Sequence, residues 1–370
     1  MRPLRRSSSR RLQKPLALLL AASALPLAAC RDSSLPAHAA PLRASAVFGE
    51  VGLSPGQFAF PRAIDADGST LWVIDKMGRV QQIDPRTGAS LSLWRMPETA
   101  LGKPTGLTCF PGNPPLLFVP DTHYQRILVY RLEDAGILPH ASNSPNHSIE
   151  RPTPAPFASF GRMGRGPGEF IYPTDIAVLP TPDGSKPARV YVAEYGENDR
   201  ISVFEPAPDG SFQFRFSFGR WGRADDPDHI EFNRPQSIAL DLPRQELLVA
   251  DACNHRIGRF SLDGKLIRWI GSPDSAGDAP GAFSYPYGIV PRGDGTAIVA
   301  ELGNARIQHI DLLSGQSLGV AGTQGAGDGM LFQPWGVAAI DNTLYVLDSG
   351  NNRIHALPAP SSLARSGGTP

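Results

Sequence analysis

Between Ser45 and Leu357 the chain repeats itself six times, and an internal repeat constrains a fold more tightly than any single motif. Each unit holds a Gly-rich loop, a proline that opens an apolar stretch, and a second apolar stretch that ends in an acid. A short polar turn ending in arginine and a third apolar stretch complete it. The opening prolines are Pro61, Pro104, Pro173, Pro235, Pro286 and Pro334. The acids are Asp75, Asp121, Glu194, Asp251, Glu301 and Asp348, in LWVID, LLFVPD, VYVAE, LLVAD, AIVAE and LYVLD. Short, apolar and often β-branched, these runs read as buried strands. The matching arginines are Arg79, Arg126, Arg200, Arg256, Arg306 and Arg353.

Turn chemistry points the same way. Asp67-Gly68, Asp183-Gly184, Asp209-Gly210, Asp263-Gly264 and Asp294-Gly295 fall between strands, where tight hairpins need positive φ. The 37 prolines and 38 glycines argue against long helices. Fourth strands read SLWRM, FASFG, FSFG, RWIG and GVAG, while the last unit ends at RIHAL without one. Ser45-Ala46-Val47-Phe48-Gly49 carries that pattern ahead of the first proline. The expected fold is all-β: a six-bladed β-propeller of four-stranded blades, its ring closed by an N-terminal strand that completes the last blade, so that no junction is left unpaired.

The order Pro-x-Gly/Ser/Asp-Ile-Ala, then V-A-D, then N-x-R-I, with connectors GLSPGQF, GRGPGEF, GDAPGAF and GAGDGMLF, resembles NHL repeats across nearly all of residues 45–357. The resemblance implies the propeller. It leaves function open, because such propellers include enzymes, receptors and RNA-binding modules.

Residues 1–29 read as a signal peptide: five arginines and a lysine precede an uncharged stretch from Pro15 to Ala29, too short for a comfortable membrane span. Leu27-Ala28-Ala29-Cys30 resembles the lipobox of bacterial lipoproteins, which implies lipid attachment at Cys30 and a flexible tether over 30–44. Ser9-Arg10-Arg11 is similar to a twin-arginine export signal, although Gln13 departs from it, so the export route stays open. Residues 358–370 read as a disordered C-terminal tail. The expected location is the membrane surface, facing the periplasm or the cell exterior. The expected partner is a protein or small ligand, with the lipid as the sole membrane contact and a monomeric chain. With 35 basic against 35 acidic residues, no global field attracts nucleic acid.

DACNHRI, Asp251 to Ile257, first suggests a metal or catalytic site, but it is one of six versions of the same turn, with Asp251 and Arg256 as the frame and Cys253 and His255 as variation. The position just after each opening proline is different. It holds Arg62, Thr105, Thr174, Gln236, Tyr287 and Trp335, the least repeated residues of a repeated chain, expected to ring one mouth of the central channel. They are the candidate ligand-binding residues. The related amidating lyases place zinc-binding histidines at this mouth; no imidazole stands here, and no metal, cofactor or catalytic set is expected. For calcium, as in the gluconolactonase-like propellers, Asp175 and Gln236 are too few. The leading expectation is a non-catalytic binding scaffold. The alternative is a channel-mouth lyase or hydrolase with Arg62 as anion anchor and Tyr287 in proton transfer. Cys109 and Cys253 are expected to be free thiols. Two insertions, about Arg131–Pro156 and Trp221–Phe232, are open between specificity loops and tolerated length.

Overall fold

In blades 1 to 5 four successive short apolar runs fold into an antiparallel meander, whereas blade 6 has three successive runs and a fourth from the N-terminal side. Blade 4 shows the pattern: Pro235–Asp241, Glu246–Asp251, Arg256–Ser261 and Leu266–Gly271 lie side by side in that order. Leu247 stands opposite Phe260, and Ile257 opposite Ile270. A computed structural model describes residues 41–136 and 149–358. The signal peptide, Cys30, most of the tether, His140, His147 and the tail beyond Pro358 lie outside the described residues.

Six such sheets make up the propeller. Their inner strands are Pro61–Ala66, Thr108–Phe110, Tyr172–Pro180, Pro235–Asp241, Pro286–Pro291 and Pro334–Ile340. Blade 6 contains Ala46–Phe48 as its outer strand, with Val47 opposite His355. Two boundaries differ from expectation. Leu42, assigned to the flexible tether, is buried in the cluster that holds Ala300, Leu331 and Val337, because an apolar side chain beside that seam gains more by packing than by hydration. At the other end the strand Arg353–Pro358 takes in Pro358, assigned to the tail.

The second strands are apolar on both faces because each blade is packed on both sides. In LLVA of blade 4, Leu247 and Val249 pack with Tyr191 and Ile238 toward blade 3, whereas Leu248 and Ala250 pack with Ile289 and Val299 toward blade 5. This is the two-residue period of a strand acting in a doubly buried sheet. Phe58, Phe170, Phe232, Phe283 and Leu331 plug the connectors and are essentially inaccessible.

The repeated acid and arginine form ion pairs inside the turns. Glu301 meets Arg306 Nε at 2.7 Å with both side chains wholly buried, and Asp251 meets Arg256 Nε at 2.9 Å. The acid also accepts backbone N–H groups, as when Asp251 accepts from Asn233 at 2.7 Å. Removing one partner of such a pair costs about 3–5 kcal/mol, because the other charge is left buried.

Both insertions are structural where described. Arg151 and Ile149 bond to Leu93 on the outer strand of blade 1, N–H to O at 2.8 and 2.7 Å, and so cover part of an exposed edge. The Trp221–Phe232 connector keeps the short parallel pairing of the other connectors, Trp221 opposite Phe232, around a longer loop.

Candidate functional site at the channel mouth

Immediately after the opening proline the ladder slips by one residue in five of the six blades. The breaks fall between Pro61 and Ala63, Pro173 and Asp175, Pro235 and Ser237, Pro286 and Gly288, and Pro334 and Gly336. The skipped residues are Arg62, Thr174, Gln236, Tyr287 and Trp335. A bulge residue is excused from pairing and its side chain is re-aimed, which is why this position can vary while its neighbours repeat. In blade 2 the inner strand begins only at Thr108, so Thr105 lies ahead of it.

Five of the six candidates line one cavity at this end of the channel: Arg62, Thr105, Gln236, Tyr287 and Trp335. Thr174 does not. It is fully buried, and its hydroxyl donates to Pro235 O at 2.8 Å. The Thr105 hydroxyl is also committed, 3.0 Å from that of Thr122. The cavity measures about 40 Å³. That is room for about three waters, hence for the head of a ligand and not its body.

Aromatic rings form its wall. Tyr287 and Trp335 meet edge to face at 4.9 Å, and the Arg62 guanidinium lies 5.5 Å from the Trp335 ring. Burial, and after it the like charge of Arg234, lower the pKa of Arg62. Burial raises that of Tyr287, which therefore stays a phenol and a hydrogen-bond donor.

Two residues outside the predicted ring stand beside the site, against residues that line the cavity and not in its lining themselves. Arg234 precedes the opening proline of blade 4, with its guanidinium 5.0 Å from the Tyr195 ring and 5.5 Å from that of Tyr287. Its Nε donates to Gln236 Oε1 at 3.1 Å. Tyr195 follows the acid of blade 3. Both positions are unlike from unit to unit, Phe60, Lys103, Tyr172, Arg234, Tyr285 and Gln333 in the first case, and that variation was the available signal.

Below the mouth, Asp175 lines both this cavity and a larger one of about 400 Å³ deeper in the channel, where Asp65 and Cys109 also stand. Burial pushes Asp175 up to about 7 and Asp65 up to about 6. Each accepts a backbone N–H from the next blade: Asp65 from Cys109 at 2.8 Å, and Asp175 from Ile238 at 3.0 Å. Among the described residues no three His, Cys, Asp or Glu side chains converge as metal ligands. Cys109 and Cys253 are both free, and Cys109 is buried.

His255 has a structural task. It sits at φ 54°, and its Nδ1 accepts the Tyr285 N–H at 3.2 Å, joining the turn of blade 4 to the entry of blade 5. Asn352 does the same between blades 6 and 1, accepting from Phe60 N–H at 2.6 Å, and Asp199 does so between blades 3 and 4.

These features define a six-bladed propeller with a bulge-built mouth. Residues 232–260 and 333–357 match the family model of the NHL repeat, so the chain carries NHL repeats. Among solved structures it is similar to a protein of unknown function from Bacteroides thetaiotaomicron, with TM-score 0.54 and 14% identity over 84% of this chain and 71% of that one. It is also similar to a streptogramin B lyase, with TM-score 0.50 and 12% identity over 84% of this chain and 96% of that one. Raptor from Chaetomium thermophilum matches at TM-score 0.50 and 13% identity, over 85% of this chain but 29% of that one. At such identities the likeness is one of fold.

Proposed function

We propose that this chain is an exported, lipid-anchored propeller that binds a protein or small ligand at the channel mouth without converting it. The convergence of Arg62, Gln236, Tyr287 and Trp335 on one small cavity carries the reading, since binding sites combine apolar walls with few polar anchors. The anchor at Cys30 rests on the lipobox alone. The test is capture from the native envelope with the full-length protein and with Trp335→Ala as bait. A ligand or partner retained by the first and lost by the second is expected; identical capture by both would remove the mouth from the function. In parallel, Cys30→Ser is expected to abolish lipid labelling and release the protein from membranes.

A second reading has Arg62 and Tyr287, brought to the same cavity, acting as anion anchor and proton donor of a lyase or hydrolase. The raised pKa of Tyr287 keeps it protonated, so in this reading it enters as an acid and hydrogen-bond donor, a weaker acid than an ordinary phenol, and not as a base. Turnover of a lactone or a peptidyl-hydroxyglycine, abolished by Tyr287→Phe, would replace the binding reading.

A further inference from the structure

The mouth carries two arginines with no counter-charge. Each repeat arginine has its carboxylate, as Arg200 has Glu194 at 2.7 Å and Arg353 has Asp348 at 2.8 Å. Arg62 and Arg234 have none among the described residues. Arg62 Nε is buried without a hydrogen-bond partner, and Arg234 Nε is held only by the neutral Gln236. The two are close enough to repel, which is part of why Arg62 is shifted downward. Asp199 Oδ1 accepts the Arg234 backbone N–H, leaving the guanidinium to the Tyr195 and Tyr287 rings. Asp175 shares the cavity, but at about 7 it is half protonated near neutral pH and is a poor counterion. Two half-buried like charges are an unfavourable arrangement that a bound anion relieves.

Geometry narrows the anion. A guanidinium presents a planar fork that matches a carboxylate, and a cavity of about 40 Å³ admits a carboxylate head and little more. Beside it stands the Tyr287–Trp335 pair, whose rings are set at 80° to each other. We propose that Arg62 and Arg234 hold the carboxylate end of a ligand whose flat apolar body lies against Trp335 and Tyr287. This rests on the mouth reading above and adds Arg234 and the chemical class of the ligand.

The experiment is calorimetric titration of the intact chain with benzoate, acetate and inorganic phosphate, which separate head from body and carboxylate from other oxyanions. Benzoate is expected to bind about ten-fold more tightly than acetate, through the ring contact. Arg62→Gln and Arg234→Gln are each expected to weaken benzoate about ten-fold, the loss of one charge-assisted contact, with Lys at either position restoring part of it. Arg223→Gln, on the exposed connector, leaves binding unchanged. Melting curves show that the variants are folded, and the Lys variants serve where a Gln variant is not. Benzoate affinity unaltered in both arginine variants overturns the assignment, as does phosphate binding more tightly than benzoate. If none of the three saturates below about 10 mM while envelope capture still depends on Trp335, the carboxylate site falls and the mouth reading stands.

Discussion

The channel is lined by two arcs built on different principles. From blade 1 to blade 4 the inner strands are tied by side chains. Cys109 N–H donates to Asp65, the Thr108 hydroxyl donates to Ile176 O at 2.7 Å, the Thr174 hydroxyl to Pro235 O, and Ile238 N–H donates to Asp175. From blade 5 to blade 1 glycines bring the strands together, an approach that Gly106 adds to the ties between blades 2 and 3, where a Cβ on it would clash with Thr174 O. A Cβ on Gly288 would lie 2.8 Å from Gly336 Cα, and one on Gly336 would lie 3.1 Å from Ile64 Cγ2. Where a side chain ties the joint, the mouth residue is used up in holding the ring, as Thr105 and Thr174 are. Where glycine lets backbones touch, the adjoining bulge is free to carry Tyr287 or Trp335 into the cavity. The aromatic wall of the ligand site therefore stands over the glycine arc, while Gln236 and Arg234 reach it from blade 4.

The strongest way to break this contrast is Gly288→Ala. Its Cβ would meet the backbone of blade 6, including Trp335 O at 3.0 Å, so the backbone itself has to give. Loss of about 2–3 kcal/mol in denaturant unfolding is expected, together with weakened binding at the mouth. Thr174→Val on the other arc removes one interblade hydrogen bond and is expected to cost about 1–2 kcal/mol while leaving mouth binding intact. Equal effects on binding from the two substitutions would erase the distinction.

Two further predictions concern pH. Asp175 and Asp65 have folded values of about 7 and about 6 against an ordinary 3.8. The folded chain therefore binds protons more tightly than the unfolded one. This contribution to stability is fully present below about pH 4 and is lost as pH rises through 6 to 7. Asp175→Asn keeps an acceptor for Ile238 N–H and is expected to flatten unfolding free energy across that window; an unchanged slope would show that Asp175 titrates no differently on folding.

His255 runs the other way and is the smallest effect. Burial lowers its pKa below the usual 6.5, and its bond to Tyr285 requires an unprotonated Nδ1. Its contribution is present above the unfolded value and declines as pH falls below 6.5. His255→Asn places at this position the residue that Asn352 supplies at blade 6, tolerates the positive φ, and is expected to remove that acid-side decline at a cost under about 1 kcal/mol.

Much of the ring was legible because a repeat states its own rules six times. Asp251 and Arg256 could be assigned to a turn since Glu301 and Arg306, or Asp348 and Arg353, stand at the same offset. The mouth position could be found because it varies directly after a proline that recurs in all six units. What could not be read was that this position is a bulge, since ladder slippage depends on the partner strand, whose hydrogen bonds are not written in the residue that skips them. Nor could Thr174 be told from Gln236, as both are polar residues after proline and only the neighbouring blade decides that the threonine hydroxyl is spent. Arg234 and Tyr195 lay outside the strand pattern and come to the mouth only when blades 3, 4 and 5 are side by side.

The sequence by itself determined the blade count, the strand order within each blade and the turn that every blade shares, because these depend on local patterning and on residues a few positions apart. The tertiary structure alone decided that Leu42 is packed, that His255 and Asn352 are clasps between blades, and that Arg62 and Arg234 share a mouth where, among the described residues, neither has an ion-pair partner. Those facts depend on contacts between units, where backbone proximity and burial, not residue type, set what a side chain can do.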